Sequence, residues 1–207
     1  MNGAVLVIEP DRGGLGTALA EHGYEVEREG DPAEARALVT VAPRPALRPL
    51  AELEPEEWLA TFRAWTEEPF FAAQRFLRGV YERGRDGCWV AVTSILGTQP
   101  FPGGGAAGAA SVALQTLVRV AAVEGGPHCV RANVVAPGWR QDALTRELDA
   151  ELAVEDTPTR RLTTQADVAA AVSWLLSAEA EHVSGAVLTV DGGYTVTRGS
   201  RPDPTKR

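Results

Sequence analysis

Three short valine-rich runs, Val90-Ala91-Val92-Thr93-Ser94, Val130-Arg131-Ala132-Asn133-Val134-Val135-Ala136-Pro137-Gly138 and Gly185-Ala186-Val187-Leu188-Thr189-Val190-Asp191-Gly192-Gly193-Tyr194, each end in a polar or Pro/Gly-rich turn. Between the first two lies a small-residue stretch from about Ala106 to Val123, and before the third lies the amphipathic segment Gln165 to Ser177. Strands joined by helix-length crossovers must run parallel, and a parallel sheet needs helices on both faces. The N-terminal run Ala4 to Ile8, the short helix Thr17 to Glu21 and a second short strand near Tyr24 to Arg28 extend the alternation. The pattern predicts an α/β fold with a doubly wound parallel sheet in three α/β/α layers.

Three segments, VRxNxVAPG at Val130 to Gly138, DVAxAVxWLLS at Asp167 to Ser177 and GxxLTVDGGY at Gly185 to Tyr194, fall in one order and spacing. Together they resemble the short-chain dehydrogenase/reductase (SDR) family, of the kind typified by 3-oxoacyl carrier-protein reductases. The likeness runs from Gly3 to Tyr194 and is strongest after Val90. It implies a Rossmann-like sheet as one domain over residues 1–197, with 198–207 a disordered tail rich in proline and charge. The chain is short for the family. Between the second strand and Val39 it has no room for the helix, strand and helix that the family inserts, so the fold is expected to lack about one strand with its helices.

The resemblance also implies a reaction. In the family a tyrosine exchanges the proton while hydride moves to or from a nicotinamide, a lysine four residues later lowers the tyrosine pKa, and a serine orients the carbonyl. A phenol of pKa about 10 works at neutral pH only beside a positive charge. Ser94 holds the serine position. Counted by the family spacing, the tyrosine and lysine positions fall on Ala107 and Ser111, and Leu117, Arg119 and Glu124 fix that register. The chain's tyrosines are Tyr24, Tyr81 and Tyr194, and its one lysine is Lys206. Its asparagines are Asn2 and Asn133, so the family's relay asparagine is missing too, and Trp65 stands at that position. After Pro137-Gly138, Asp142 replaces a threonine that would donate to the nicotinamide amide, and a carboxylate cannot donate at neutral pH.

The cofactor loop is equally altered. Glu9-Pro10-Asp11-Arg12-Gly13-Gly14-Leu15-Gly16 resembles the family's T-G-x-x-x-G-x-G loop, with Glu9 and Pro10 replacing the threonine and the first glycine. Glycines let backbone N–H groups approach pyrophosphate, whereas Pro10 has no N–H and Glu9 and Asp11 repel an anion, Arg12 offsetting part of that. Gly14, Leu15, Gly16, Pro137 and Gly138 are the cofactor-contact positions the family implies. The expectation is no cofactor, with NAD(P)(H) as the alternative. Asp31 is a candidate ribose acid, but Asp31-Pro32-Ala33-Glu34 reads more directly as a capped helix start.

A net charge of −8 and a pI near 5.0 argue against nucleic acid and anionic membranes as partners. No stretch reads as a transmembrane run or a signal peptide, and the chain is expected to be cytoplasmic. Cys88 and Cys129 read as buried thiols beside strands, and the scattered His22, His128 and His182 offer no metal cluster. A long helix is expected over Glu56 to Glu82, kinked at Pro69. In the resembling family this helix and the next build a dimer interface, and Ala109, Ala110, Ala113, Leu117, Val120 and Ala121 give a smooth stripe for a homo-oligomer or a hetero-oligomer with an active paralogue. The functional expectation is a catalytically silent SDR-fold protein acting as a structural or regulatory partner of an active SDR oxidoreductase. The alternatives are an NAD(P)(H)-dependent oxidoreductase of ketoreductase type or a lyase with a rebuilt site using Ser94, Ser111 or Asp142, and a cofactor-free module holding an acyl ligand against Leu96, Trp139 and Leu144.

Overall fold

The computed structural model describes residues 4–10, 14–140 and 150–197. Six strands form one sheet in the order β2-β1-β3-β4-β5-β6. They are β1 (Val5–Ile8), β2 (Val26–Glu27), β3 (Ala37–Val41), β4 (Gly87–Val92), β5 (Val130–Pro137) and β6 (Val187–Val190), every neighbouring pair parallel. The chain steps from β1 outward to β2 and then crosses back to β3 on the other side of β1. That reversal opens a crevice at the carboxyl ends of β1 and β3, the place where open α/β sheets put ligands.

The pleat divides the core in two. Val5, Val7, Val39, Cys88, Val90 and Val92 face α1 (Leu15–Glu21) and α6 (Gln165–Leu176), meeting Leu15, Leu19, Val172 and Leu175. Leu6, Leu38, Trp89 and Ala91 face the opposite way, toward Phe76 and Val80 of α3 (Glu68–Arg83) and Leu114 and Val118 of α4 (Gly105–Gly125). The Trp89 indole N–H, fully enclosed, donates to Thr40 Oγ1 at 3.1 Å, so the largest core side chain leaves no orphan polar atom. This is the expected Rossmann-like three-layer α/β/α arrangement.

The deletion lies between β2 and β3. The chain there makes only a turn, in which Glu34 N–H donates to the Asp31 carbonyl at 2.9 Å and Ala33 N–H to the Asp31 carboxylate at 2.9 Å. The helix expected from Asp31-Pro32 does not form, because β3 begins at Ala37 and too few residues remain to repay helix nucleation. Asp31 pairs with Arg75 on α3 instead. α3 packs directly on this turn at Gly79, where an added Cβ would sit 2.0 Å from the Ala33 carbonyl oxygen.

Four further expectations are corrected. The helix over Glu56 to Glu82 is α2 (Pro55–Phe62) and α3 separated by a π turn, Arg63–Glu67. Pro69 has no N–H to offer the Trp65 carbonyl one turn back, so the ladder widens before the proline rather than bending at it. Cys129 is exposed, in a left-handed turn with φ 58° ahead of β5, whereas Cys88 is buried. In α4, Ala110 and Ala121 belong to the chain's own core, and the outward stripe is Ala109, Val112, Val120 and Val123. Gly105–His128 is, by length and composition, apolar enough to cross a membrane, contrary to the expectation of no such run, though here it covers the sheet with Leu114 and Val118 buried. After the undescribed stretch comes a short helix, α5 (Ala150–Asp156). The 198–207 tail, Asp11, Arg12, Asp142 and Leu144 lie outside the described residues.

Candidate active site

The crevice holds a cavity of about 350 Å³ whose walls come from the ends of four strands: Glu9 after β1, Val41 to Pro45 at β3, Thr93 and Ser94 after β4, and Pro137 to Arg140 at β5. Pro10, Trp65 and Gln165 complete the lining. Gly138 is needed here because β5 leaves the sheet against Asp191, and a Cβ would lie 2.8 Å from the Asp191 Cα. Asp191 in turn accepts N–H bonds from Gly193 at 2.8 Å and Thr195 at 2.7 Å, fixing the turn after β6.

Ser94 lies where expected, at the end of β4 and on the cavity wall. Its Oγ accepts the Leu96 N–H at 3.2 Å and opens the short turn Ile95–Gly97. No described histidine or lysine, the groups that would activate a serine as a nucleophile, lines the cavity beside it. Ala107 and Ser111, which the resemblance sets at the tyrosine and lysine positions, lie on the inner face of α4, with 1% and 0% of their surface exposed. Ala107 shares an apolar cluster with Trp65, Ile95, Leu96, Ala110 and Trp139. The Ser111 hydroxyl is buried with no hydrogen-bond partner among the described residues.

Trp65 reaches this cluster from the π turn. The turn points Trp65 and Thr66 inward together, and the indole is 3% exposed. Trp65 and Ala107 thus belong to one close-packed cluster, in a fold whose interior tolerates few voids. The three tyrosines do other work. Tyr24 donates to the Ser173 carbonyl at 2.9 Å, with burial pushing its phenol above its usual range. Tyr81 stacks on His128 at 4.0 Å between ring centroids, and burial raises its phenol as well. Tyr194 lies edge-on to Trp139 at 5.9 Å, next to the cluster but not on α4.

At the other end of the crevice, Gly14 takes a left-handed conformation, φ 86°, at the start of α1. Leu15 and Gly16 are buried. Their N–H groups point at the Glu9 carboxylate, which accepts from Leu15 at 3.1 Å and Gly16 at 3.4 Å. Arg28, just past β2, donates to the same carboxylate at 2.5 Å and to Thr17 Oγ1 at 2.9 Å. The Glu9 side chain is only 4% exposed. The sequence reading treated Glu9 as a stray negative charge and missed Arg28 altogether. The missed signal was that β1 and β2 are neighbours, which puts residues nineteen apart side by side.

The model of the family described as enoyl-(acyl carrier protein) reductase matches residues 37–195. The 3-oxoacyl-[acyl-carrier-protein] reductase MabA of Mycobacterium tuberculosis is 33% identical over 180 residues, covering 86% of this chain and 69% of that protein. Protein FixR of Bradyrhizobium diazoefficiens is 35% identical over 142 residues, covering 67% of this chain and 49% of FixR. The chain therefore spans about half to two thirds of the length of these relatives. Among solved structures, an SDR-family oxidoreductase from Burkholderia thailandensis is 25% identical with a TM-score of 0.81, over 94% of this chain and 93% of that one. A gluconate 5-dehydrogenase from Burkholderia cenocepacia, in complex with NADP and tartrate, shares the fold at a TM-score of 0.82 and 24% identity, over 94% of this chain and 96% of that one. The matched segments and the six-stranded parallel sheet agree: the chain belongs to the short-chain dehydrogenase/reductase family, in a shortened form similar to the 3-oxoacyl carrier-protein reductases.

Proposed function

We propose that this protein is a catalytically silent SDR-family member that acts in the cytoplasm as a structural or regulatory partner of an active family oxidoreductase. The observation that carries the reading is the apolar cluster of Trp65 around Ala107. General acid catalysis needs a titratable group within hydrogen-bond reach of the reacting atom and a charge to tune it. At the positions where the family has both, this chain packs hydrocarbon and a hydroxyl with no partner among the described residues.

What remains on the surface supports a partner role. Val112, Val120 and Val123 on the outer face of α4 are 45%, 44% and 77% exposed, three apolar side chains interrupted by Thr116 on a helix whose inner face is core. The test is co-expression with an intact family member, one carrying the tyrosine and lysine, followed by native mass spectrometry. A mixed oligomer lost in a Val112→Glu/Val120→Glu variant supports the reading. A chain that stays monomeric both alone and beside such a paralogue overturns it.

A second reading, an NAD(P)(H)-dependent oxidoreductase or lyase with a rebuilt site, draws on the cavity of about 350 Å³ that still opens beside Ser94. The volume is at the small end of the range for ligand pockets, about 300–1,000 Å³. Turnover that depends on Ser94 is its signature.

A further inference from the structure

The family's cofactor does not fit this crevice as built. A dinucleotide needs its pyrophosphate against the amides that open α1, and the Glu9 carboxylate already accepts from Leu15 and Gly16 there, with Arg28 as its counter-charge. We propose that Glu9 is a built-in stand-in for the ligand anion: with Arg28 it fills the crevice from within, holds α1 against β1 and β2, and keeps dinucleotides out. This goes beyond catalytic silence, since an inert protein can still bind a cofactor.

Each part of the network has a defined role. The amide donors cannot be left unpaired when buried, and the carboxylate satisfies them without an external ligand. Arg28 neutralises a carboxylate that is otherwise too costly to enclose, and its bond to Thr17 Oγ1 ties the guanidinium to α1 itself. The fit is close on the other side as well, since a Cβ at Gly16 would lie 3.0 Å from Arg28 Nη2. The guanidinium and the Val26 side chain therefore pack on Gly16, whose missing side chain lets α1 sit close to β2. An incoming phosphate meets a like charge already seated and must break three hydrogen bonds before it forms one.

The internal anion is replaceable by an external one if this account holds. The test uses the purified full chain as wild type, Glu9→Ala and Glu9→Gln, titrated with sodium pyrophosphate and separately with NADPH at constant ionic strength, read by thermal unfolding and calorimetry. Wild type shows no saturable shift with either probe at millimolar concentration. Glu9→Ala melts lower and regains stability as pyrophosphate rises, because binding to the native state alone raises the midpoint. Glu9→Gln keeps the shape and loses the charge, and binds pyrophosphate at least about tenfold more tightly than wild type, the scale of one charge-assisted hydrogen bond. Glu9→Gln decides the matter should Glu9→Ala fail to fold. A wild type that binds either probe as tightly as the folded variants overturns the proposal, and so do folded variants that gain no affinity for pyrophosphate. Pyrophosphate binding involves no turnover, so these outcomes are separate from those that bear on catalytic silence.

Discussion

The Thr66 hydroxyl donates to the Ala110 carbonyl across 3.1 Å, stitching the π turn between α2 and α3 to the first turns of α4. The bond fixes the turn that delivers Trp65 to the space beside Ala107. Thr66→Val is expected to cost about 1 kcal/mol, the net worth of one buried hydrogen bond, and Trp65→Ala about 3–5 kcal/mol through the cavity it leaves. Urea denaturation of the two variants checks both, and near-equal costs would place Trp65 outside the core.

Ser111 gives a prediction of opposite sign. Its hydroxyl is fully buried without a partner among the described residues, so Ser111→Ala is expected to leave stability unchanged or raise it by up to about 1 kcal/mol. Restoring the family's lysine with Ser111→Lys is expected to destabilise by about 3 kcal/mol or more, an uncompensated charge entering a packed helix face. Denaturation midpoints of the pair decide it, and a Ser111→Lys protein as stable as wild type would mean that the lysine site survives.

Acid sensitivity is expected at the start of α6. Arg161 hydrogen-bonds Asp167 through both carboxylate oxygens, at 2.6 and 2.9 Å, and the Thr164 amide and hydroxyl each donate at 2.8 Å. These bonds, the Arg161 guanidinium first, hold the Asp167 carboxyl well below the ordinary carboxylate range. A folded-state pKa depressed in this way contributes stability that is complete above the unfolded value of about 3.9 and is lost as pH falls through the folded one. Thermal midpoints should therefore drop below about pH 4 more steeply in wild type than in Asp167→Asn. Thr164→Ala, which removes the helix cap, should cost about 0.5–2 kcal/mol at neutral pH.

The two thiols should separate cleanly. Cys88 is fully enclosed and burial pushes its pKa up to about 11, while Cys129 is exposed. A thiol-reactive disulfide at neutral pH should label Cys129 alone in the folded protein and both cysteines after unfolding, as mass spectrometry would read. Rapid labelling of Cys88 in native buffer would contradict the packing of β4 against α6.

The layered sheet was legible in the sequence because periodicity and turn chemistry report local structure, and the strand runs at Val90, Val130 and Val187 all form. That α4 carries no tyrosine or lysine was legible too, since a residue inventory needs no coordinates. What packs there instead was not. Trp65 could be counted into the relay position, but its partnership with Ala107 depends on a π turn that Pro69 induces from four residues away. Arg28 and Glu9 meet only because β1 and β2 are neighbours. The Asp31 turn escaped prediction because too little chain remained before β3, and Cys129 because it lies in a left-handed turn one residue ahead of β5.

On the proposed reading the chain keeps the fold without the reaction. The direct measurement is the rate of NADH and NADPH oxidation by purified protein with a series of ketones and 3-oxoacyl thioesters, at concentrations where an intact family member is saturated. The account predicts a rate no different from buffer. Turnover above that background which disappears in Ser94→Ala would contradict it.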